Sequence, residues 1–349
     1  MLKKFSRFLF VCTLACYPLS GWAAERVQLK VGYLPILDHL PLLVSHAQDE
    51  AHFQHVTIQP KLFKSWREMV GALDAGVINA AFILSPLAMD LFNQGKDIRT
   101  ILLAHRDGSA ITVKQGSEIN SAADLRGKAI GIPARNATHT ALLDAYLKTA
   151  GLSLKDVTTK VIAPPHMPLA MEQNRIDAFI VAEPFGAKAQ HDGLGKILVL
   201  TKQILDNHVE CIVIVKNEAL QQHPEAIQEW VNSLIRAGQF IDRDKWEQGS
   251  QAVARLTANK YFPHNEETVK LGLQNPKDRI SFSDLNPDPS DMQKIVDRSI
   301  AAGIIAPIDL EKFIDARFYH AATASASQPI YSVPGVSAPQ SNLISSDTR

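Results

Sequence analysis

The chain has 349 residues, 36 of them basic and 36 acidic, with 46% hydrophobic residues and three cysteines. Zero net charge, without basic runs interleaved with aromatics, argues against a nucleic-acid partner. The length admits two lobes with their own cores, and so few cysteines argue against a disulfide scaffold.

Residues 1–23 read as an export signal. Lys3, Lys4 and Arg7 precede an apolar run over 8–17, Pro18 breaks it, and Gly21-Trp22-Ala23 offers small residues for cleavage after Ala23. The run is too short to span a bilayer as a mature anchor. Cys16 follows Thr13-Leu14-Ala15, a poor match to a lipoprotein signal, so lipid anchoring ranks below a freely soluble product. Cleavage would leave 33 basic against 36 acidic residues and Cys211 as the single thiol. No internal disulfide could then form, and a periplasmic location is expected.

A strand–helix alternation follows. Strands are expected at 27–32, 56–60, 80–84 and 100–105, with helices running to about 49 and over 67–75. Another helix starts at Ser85-Pro86, the serine reading as its cap and the proline as its first residue. Further strands are expected at 110–114, 128–132, 157–162, 178–181 and 197–200, separated by helices near 136–150, 167–174 and 184–191. After a strand at 211–215 the chain turns helical. Its best helix is 224–242, where Ile227, Trp230, Val231, Leu234, Ile235 and Ile241 recur at helical spacing, and Trp230 is expected in the core. Later helices are expected near 249–259, 266–273, 290–302 and 310–318, and the Ala/Ser/Pro-rich residues 321–349 read as a disordered tail.

The alternation predicts an α/β fold with mainly parallel sheets covered on both faces. Two such units and a helical C-terminal part predict a bilobed protein crossed twice by the chain, at 109–113 and 211–215. Lobe 1 would comprise 24–110 plus 215–320 and lobe 2 would comprise 111–214, a two-strand hinge between them allowing closure around a ligand.

Two buried strands run straight into helix starts, at Ser85 and at 135–138, one in each expected lobe. Unpaired N–H groups and the positive dipole end at such starts suit an anion or a polar head group. Ligand groups should lie beyond the carboxyl ends of the strands, at 35–39, 64–66, 85, 105–109, 135–139, 183–185 and 208–210.

The candidates each have a plainer reading. Ser85 can cap its helix and still offer a hydroxyl. Lys64 and Arg135 are placed to neutralise an anion, though both also suit solvated loops. Trp66 could form an aromatic wall or be buried under its helix. A structural hydrogen bond is the simpler role for Asp38 and His39, since a carboxylate repels an anion unless paired. Thr138 and His139 open the helix of the second lobe, and Glu183 ranks lower. His39, His105, His139 and His208 could meet in one cleft, but no HxH or HxxxH pair supports a metal, and neither metal nor cofactor is expected.

Several segments together resemble one family: KVGYLPILDHLPLLVSHAQ, FKSWREMVGALDAGVINAAFILSPLAM, AITVKQGSEINSAADLRGKAIGIP, IDAFIVAEPF and AAGIIAPIDLEKFID. Over about 26–320 the chain resembles periplasmic substrate-binding proteins of the nitrate/sulfonate/taurine group of ABC importers, which share their domain with thiamine-pyrimidine proteins. AFILSPLAM followed by HRDGSAITV is most similar to the nitrate and bicarbonate receptors. Glu183-Pro184-Phe185 departs from them, since a Trp commonly follows Glu-Pro there. The resemblance implies the bilobed type II periplasmic-binding-protein fold. It also implies a small, anionic solute, an ABC permease in the inner membrane as partner, a monomer, and His139 as the leading histidine.

Two other classes compete with a binding protein. An enzyme on the same bilobed fold, of pyrimidine or menaquinone-precursor chemistry, lacks support, because GxSxG, HExxH and P-loop motifs and a cysteine-rich motif are all missing. A periplasmic sensor would look the same in sequence.

Overall fold

The computed structural model describes residues 26–324, and the expected leader, with Cys16, lies outside them. The first half supplies strands β1 (Val27–Tyr33), β2 (Val56–Leu62), β3 (Ala80–Leu84), β4 (Ile98–Leu103) and the short β5 (Arg106–Asp107). Next come β6 (Ser109–Lys114), β7 (Ala129–Ile132), β8 (Thr158–Val161), β9 (Ala178–Ala182), β10 (Gly195–Leu200), β11 (Cys211–Lys216) and the short β12 (Ile280–Ser281). Helices α1 (Leu40–Asp49), α2 (Trp66–Asp74), α3 (Ser85–Asn93), α4 (Thr138–Lys148), α5 (Met167–Glu172) and α6 (Phe185–His191) alternate with them. The C-terminal part is helical: α7 (Asn217–Gln222), α8 (Pro224–Glu247), α9 (Gln251–Thr257), α10 (Glu266–Gln274), α11 (Pro289–Ala301), α12 (Leu310–Phe313) and α13 (Arg317–Ala324).

The strands form two five-stranded sheets, ordered β2-β1-β3-β11-β4 and β10-β6-β9-β7-β8, one per lobe. Crossover helices make β1, β2 and β3 parallel, as they do β7, β8 and β9. Each lobe also takes one strand from the returning chain, and these run antiparallel: β11 between β3 and β4, and β6 between β9 and β10. That departs from a purely parallel pairing and has a consequence for the site. An antiparallel strand enters the sheet at the end where its neighbours leave it. Cys211 therefore pairs with Leu84, the last residue of β3, and Ser109 with Ala182, the last residue of β9.

The chain crosses between lobes through 104–108 and again through 201–210. The second crossing ends before Cys211, since β11 belongs to the first sheet from its first residue, ahead of the expected boundary at 215. The first crossing turns sharply. Asp107 has φ 58° and Gly108 φ 107°, and a Cβ on Gly108 would sit 2.7 Å from Ile280 Cδ1, so only glycine suits it. Short β5 pairs with β12 here and ties the crossing to the C-terminal part.

One apolar core fills the first lobe and continues across the interface to Phe179, Val181 and Phe185; a second, of Ile111, Leu125, Ile130, Leu142 and Leu147 among others, lies under the far face of the second sheet. Helix α8 puts Ile227, Trp230, Val231, Leu234 and Ile241 wholly inside. Each such side chain contributes about 1.5–3 kcal/mol by leaving water, which is why this stripe was legible. The helix runs on to Glu247, past the expected end at 242, because Asp242, Asp244 and Lys245 are buried and bonded, Lys245 to Asp242 and to the Ile280 carbonyl. Helix α13 reaches Ala324, so the tail expected from 321 begins inside a helix and its remainder lies outside the described residues.

Candidate functional site

The closed lobes bury a polar cluster at the strand ends: Asp38, His39, Ser85, His105, Ser109, Thr138, His139, Glu183, His208, Glu210 and Cys211, none more than 3% exposed. Two helix starts meet inside it. Ser85 is the first residue of α3 and Thr138 of α4, and their hydroxyls stand 3.5 Å apart across the interface. The expected capping role of Ser85 is not what the structure shows. Leu84 occupies the cap position of α3, and the Ser85 hydroxyl caps nothing and faces the other lobe. The Glu210 carbonyl accepts from Ser85 N at 2.9 Å and from Thr138 Oγ1 at 3.2 Å, stitching both helices to the second crossing.

Glu210 organises one half of the cluster. Its carboxylate accepts from Ser109 Oγ at 2.6 Å, lies 3.0 Å from His139 Nε2 and 3.2 Å from His208 Nε2. Burial alone would raise its pKa, but His139 and His208 outweigh burial and hold the carboxyl well below the ordinary range. His208 also reaches Asp107 Oδ1 at 2.8 Å. Burial would push this imidazole down, yet its bonds to Asp107 and Glu210 lift it to about 9, so it is a buried imidazolium at neutral pH.

The other half lies on the first lobe. His39 Nδ1 accepts from Leu34 N at 2.9 Å, and burial, aided by His105, drives its pKa well below the usual histidine value. A neutral ring that accepts at Nδ1 carries its proton at Nε2, and that buried Nε2 has no partner. The Trp66 ring stands edge-on to His39, 5.8 Å between centroids, and its buried Nε1–H is also without a partner. Trp66 is fixed there because α2 starts at it. Ser65 Oγ accepts from Glu68 N, while the Glu68 carboxylate accepts from Lys64 N.

Asp38 Oδ2 lies 3.1 Å from His105 Nε2 and 3.6 Å from Cys211 Sγ. Glu183 follows β9, and its carboxylate accepts from Arg279 Nη1 at 2.6 Å and from Ala187 N at 2.8 Å.

Of the residues singled out from sequence, the fold brings together Asp38, His39, Trp66, Ser85, Thr138, His139 and Glu183. Lys64 and Arg135 are exposed and outside the buried cluster. Ser109 and Glu210 fall within the expected strand-end stretches 105–109 and 208–210, though neither is among the named ligand groups. Cys211 and Arg279 lie outside every such stretch, Cys211 because antiparallel β11 enters its sheet beside Leu84. Arg279 comes from coil after α10 and carries no periodic signal.

Residues 22–257 match the NMT1-like family. The chain is 24% identical over 283 residues to the nitrate/nitrite binding protein NrtA of Nostoc sp. PCC 7120, covering 74% of this chain and 63% of that relative, less than two thirds of its length. Among solved structures, a zinc-bound ligand binding component of an ABC-type import system from Staphylococcus aureus superimposes with a TM-score of 0.77 and 25% identity, over 85% of this chain and 99% of that one. The periplasmic nitrate-binding protein NrtA from Synechocystis has the same fold, with a TM-score of 0.78 at 17% identity over 89% and 92% of the two chains. A family match across this much of the sequence, on the bilobed frame of periplasmic binding proteins, makes this chain a member of the NMT1-like family.

Proposed function

We propose that the protein is the solute-binding component of an ABC importer, exported to the periplasm, capturing a small inorganic anion and presenting it to a membrane permease. It acts as a receptor and not as an enzyme. The observation that carries this reading is the pair of neutral, buried N–H donors without partners, His39 Nε2 and Trp66 Nε1, on adjacent rings. Neutral donors in a dry site bind an anion without the desolvation cost of a buried cation, and low polarisability around them strengthens each bond. The facing starts of α3 and α4 add oriented backbone dipoles. Nitrate and nitrite fit best, being planar acceptors of the kind the relatives' names record, with bicarbonate and sulfonates next.

In this reading Ser85, Thr138 and His139 approach the solute when the lobes shut, while Asp38 and Glu183 stay in internal pairs. Lys64 and Arg135, on the outside, serve encounter and not holding.

The test is thermal unfolding of the protein against nitrate, nitrite, bicarbonate, taurine and alkanesulfonates. A ligand at 100 times its Kd stabilises by about 2.7 kcal/mol. Trp66→Phe keeps an aromatic ring and removes the donor, so it should fold, as circular dichroism checks, and lose the response. An unchanged response in Trp66→Phe, or no response to any anion, rejects the assignment.

A further inference from the structure

Asp38, His105 and Cys211 form a set of three ligand-type side chains, all 0% exposed, whose candidate ligand atoms lie within 4.8 Å of one another. From this geometry we infer a binding site for one divalent ion of the zinc class, coordinated by Asp38 Oδ2, His105 Nε2 and Cys211 Sγ. The inference goes beyond anion capture and does not depend on it.

The spacing matches a coordination sphere. Bonds of about 2.1 Å to oxygen, 2.05 Å to nitrogen and 2.3 Å to sulfur at tetrahedral angles place the donors about 3.4 Å (O···N) and 3.6 Å (S···O) apart. The observed separations are 3.1 Å for Asp38 Oδ2 to His105 Nε2 and 3.6 Å for Asp38 Oδ2 to Cys211 Sγ. Cys211 N approaches His105 Nε2 at 3.3 Å and Asp38 Oδ2 stands 3.1 Å from the same nitrogen. That nitrogen has one lone pair, so an ion bound there replaces the long bond from Cys211 N. The second oxygen, Asp38 Oδ1, is buried without any hydrogen-bond partner, an unusual state for a carboxylate.

The fold builds this triad on the first-lobe side. Register between β4 and β11 pairs Leu103 with Ile212 and bonds Ala104 N to the Cys211 carbonyl, which sets His105 beside Cys211. Asp38 descends from the turn after β1. Asp38 and Cys211 belong to the first lobe and His105 sits at the first-lobe end of the crossing, beside β11, so no group from the second lobe is needed. The donor set selects the metal: thiolate with imidazole and one carboxylate suits zinc, cobalt or copper and not calcium or magnesium. Three protein ligands leave a fourth position, the pattern of an open site.

Cobalt reports this chemistry directly. The full chain carrying Cys12→Ser and Cys16→Ser keeps Cys211 as its only thiol. After stripping with a chelator it should take up one Co²⁺, with tetrahedral ligand-field bands and a thiolate-to-cobalt charge-transfer band, and zinc should displace it. Adding Cys211→Ser should abolish the charge-transfer band. Zinc affinity should fall by more than the roughly 10–100-fold that outer-shell changes cost, and Asp38→Asn should weaken it likewise. Circular dichroism checks the fold, and where a variant does not fold the cobalt spectrum of the parent decides. No uptake, uptake without the charge-transfer band, or unchanged zinc affinity in folded Cys211→Ser or Asp38→Asn overturns the site. None of these outcomes bears on the anion response of Trp66.

Discussion

Arg279 Nη1 donates to Glu183 Oε1 over 2.6 Å, joining the C-terminal part of the first lobe to the end of β9 in the second, with both side chains withdrawn from water. Burial raises the Glu183 pKa, opposed by Arg279 and by the bond from Ala187 N, so the carboxylate depends on its arginine. Removing one partner strands a buried charge, which costs about 3–5 kcal/mol, whereas replacing both by apolar groups is nearly neutral. Arg279→Ala should therefore lower unfolding free energy by that amount and shift the chain toward an open form with a larger radius of gyration. The double variant Glu183→Leu/Arg279→Met should recover most of the stability. A single variant as stable and compact as the parent in denaturant titration and small-angle scattering contradicts the latch.

Gly272 gauges how tightly the lobes shut. It lies on α10 of the first lobe, and a Cβ there would press on Leu37 Cδ1 and stand 3.3 Å from Pro184 Cα. Leu37 N donates to the Glu183 carbonyl at 2.8 Å in the same place. In an exposed helix, Gly→Ala gains about 1 kcal/mol of propensity. Here the tight contact with Leu37, within the first lobe, opposes it by about 1–3 kcal/mol in either form, and the contact with Pro184 of the second lobe adds to it only when the lobes are shut. Gly272→Ala should thus cost the closed form more than the open one and weaken solute binding several-fold. Scattering with and without solute separates the two effects.

Much of this architecture was legible because periodic burial carries it. The stripe of Ile227, Trp230, Val231, Leu234 and Ile241 announces α8, and apolar runs such as 80–84 announce central strands. The same reasoning reached Trp66, Ser85, Thr138 and His139, each just beyond a strand that ends in a helix start. It failed where direction matters. Strand polarity is not written in a run such as Cys211–Lys216, buried over 211–215 whichever way it points, so the expected stretch 208–210 stops one residue short of Cys211. It also failed for charge. Lys64 and Arg135 are exposed, while His208 and Arg279 are buried at the interface and held by Asp107 and Glu183, each about a hundred residues away in sequence.

Ser109 ties the second lobe to the second crossing through one hydroxyl, donating to Glu210 Oε1 at 2.6 Å with His139 Nε2 at 2.9 Å. A hydrogen bond to a charged group contributes about 1.5–3 kcal/mol. Ser109→Ala should cost about that much in unfolding free energy. His139→Ala should cost more, since it removes both the ring and the group 3.0 Å from the buried Glu210 carboxylate. A double-mutant cycle between positions 109 and 139 should show coupling above about 0.5 kcal/mol, and strict additivity would mean that the three groups do not act together.

His208 makes stability depend on pH in a defined window. Its bonds to Asp107 and Glu210 outweigh burial and raise its pKa from 6.5 to about 9. A group bound more tightly to its proton in the folded state contributes stability that is complete below the unfolded pKa. The contribution then fades as pH rises through the folded one. Between pH 6.5 and about 9 the folded chain should lose about 3 kcal/mol from this group, at about 1.4 kcal/mol per unit. Above that window Glu210 and Asp107 face a neutral ring, so the second crossing loosens where both helix starts are tied. His208→Gln removes the titration, so its urea-unfolding free energy should be lower than the parent's near pH 6.5 and approach it near pH 9.5. Parallel pH profiles for the two proteins would show that the imidazolium is not what holds this crossing.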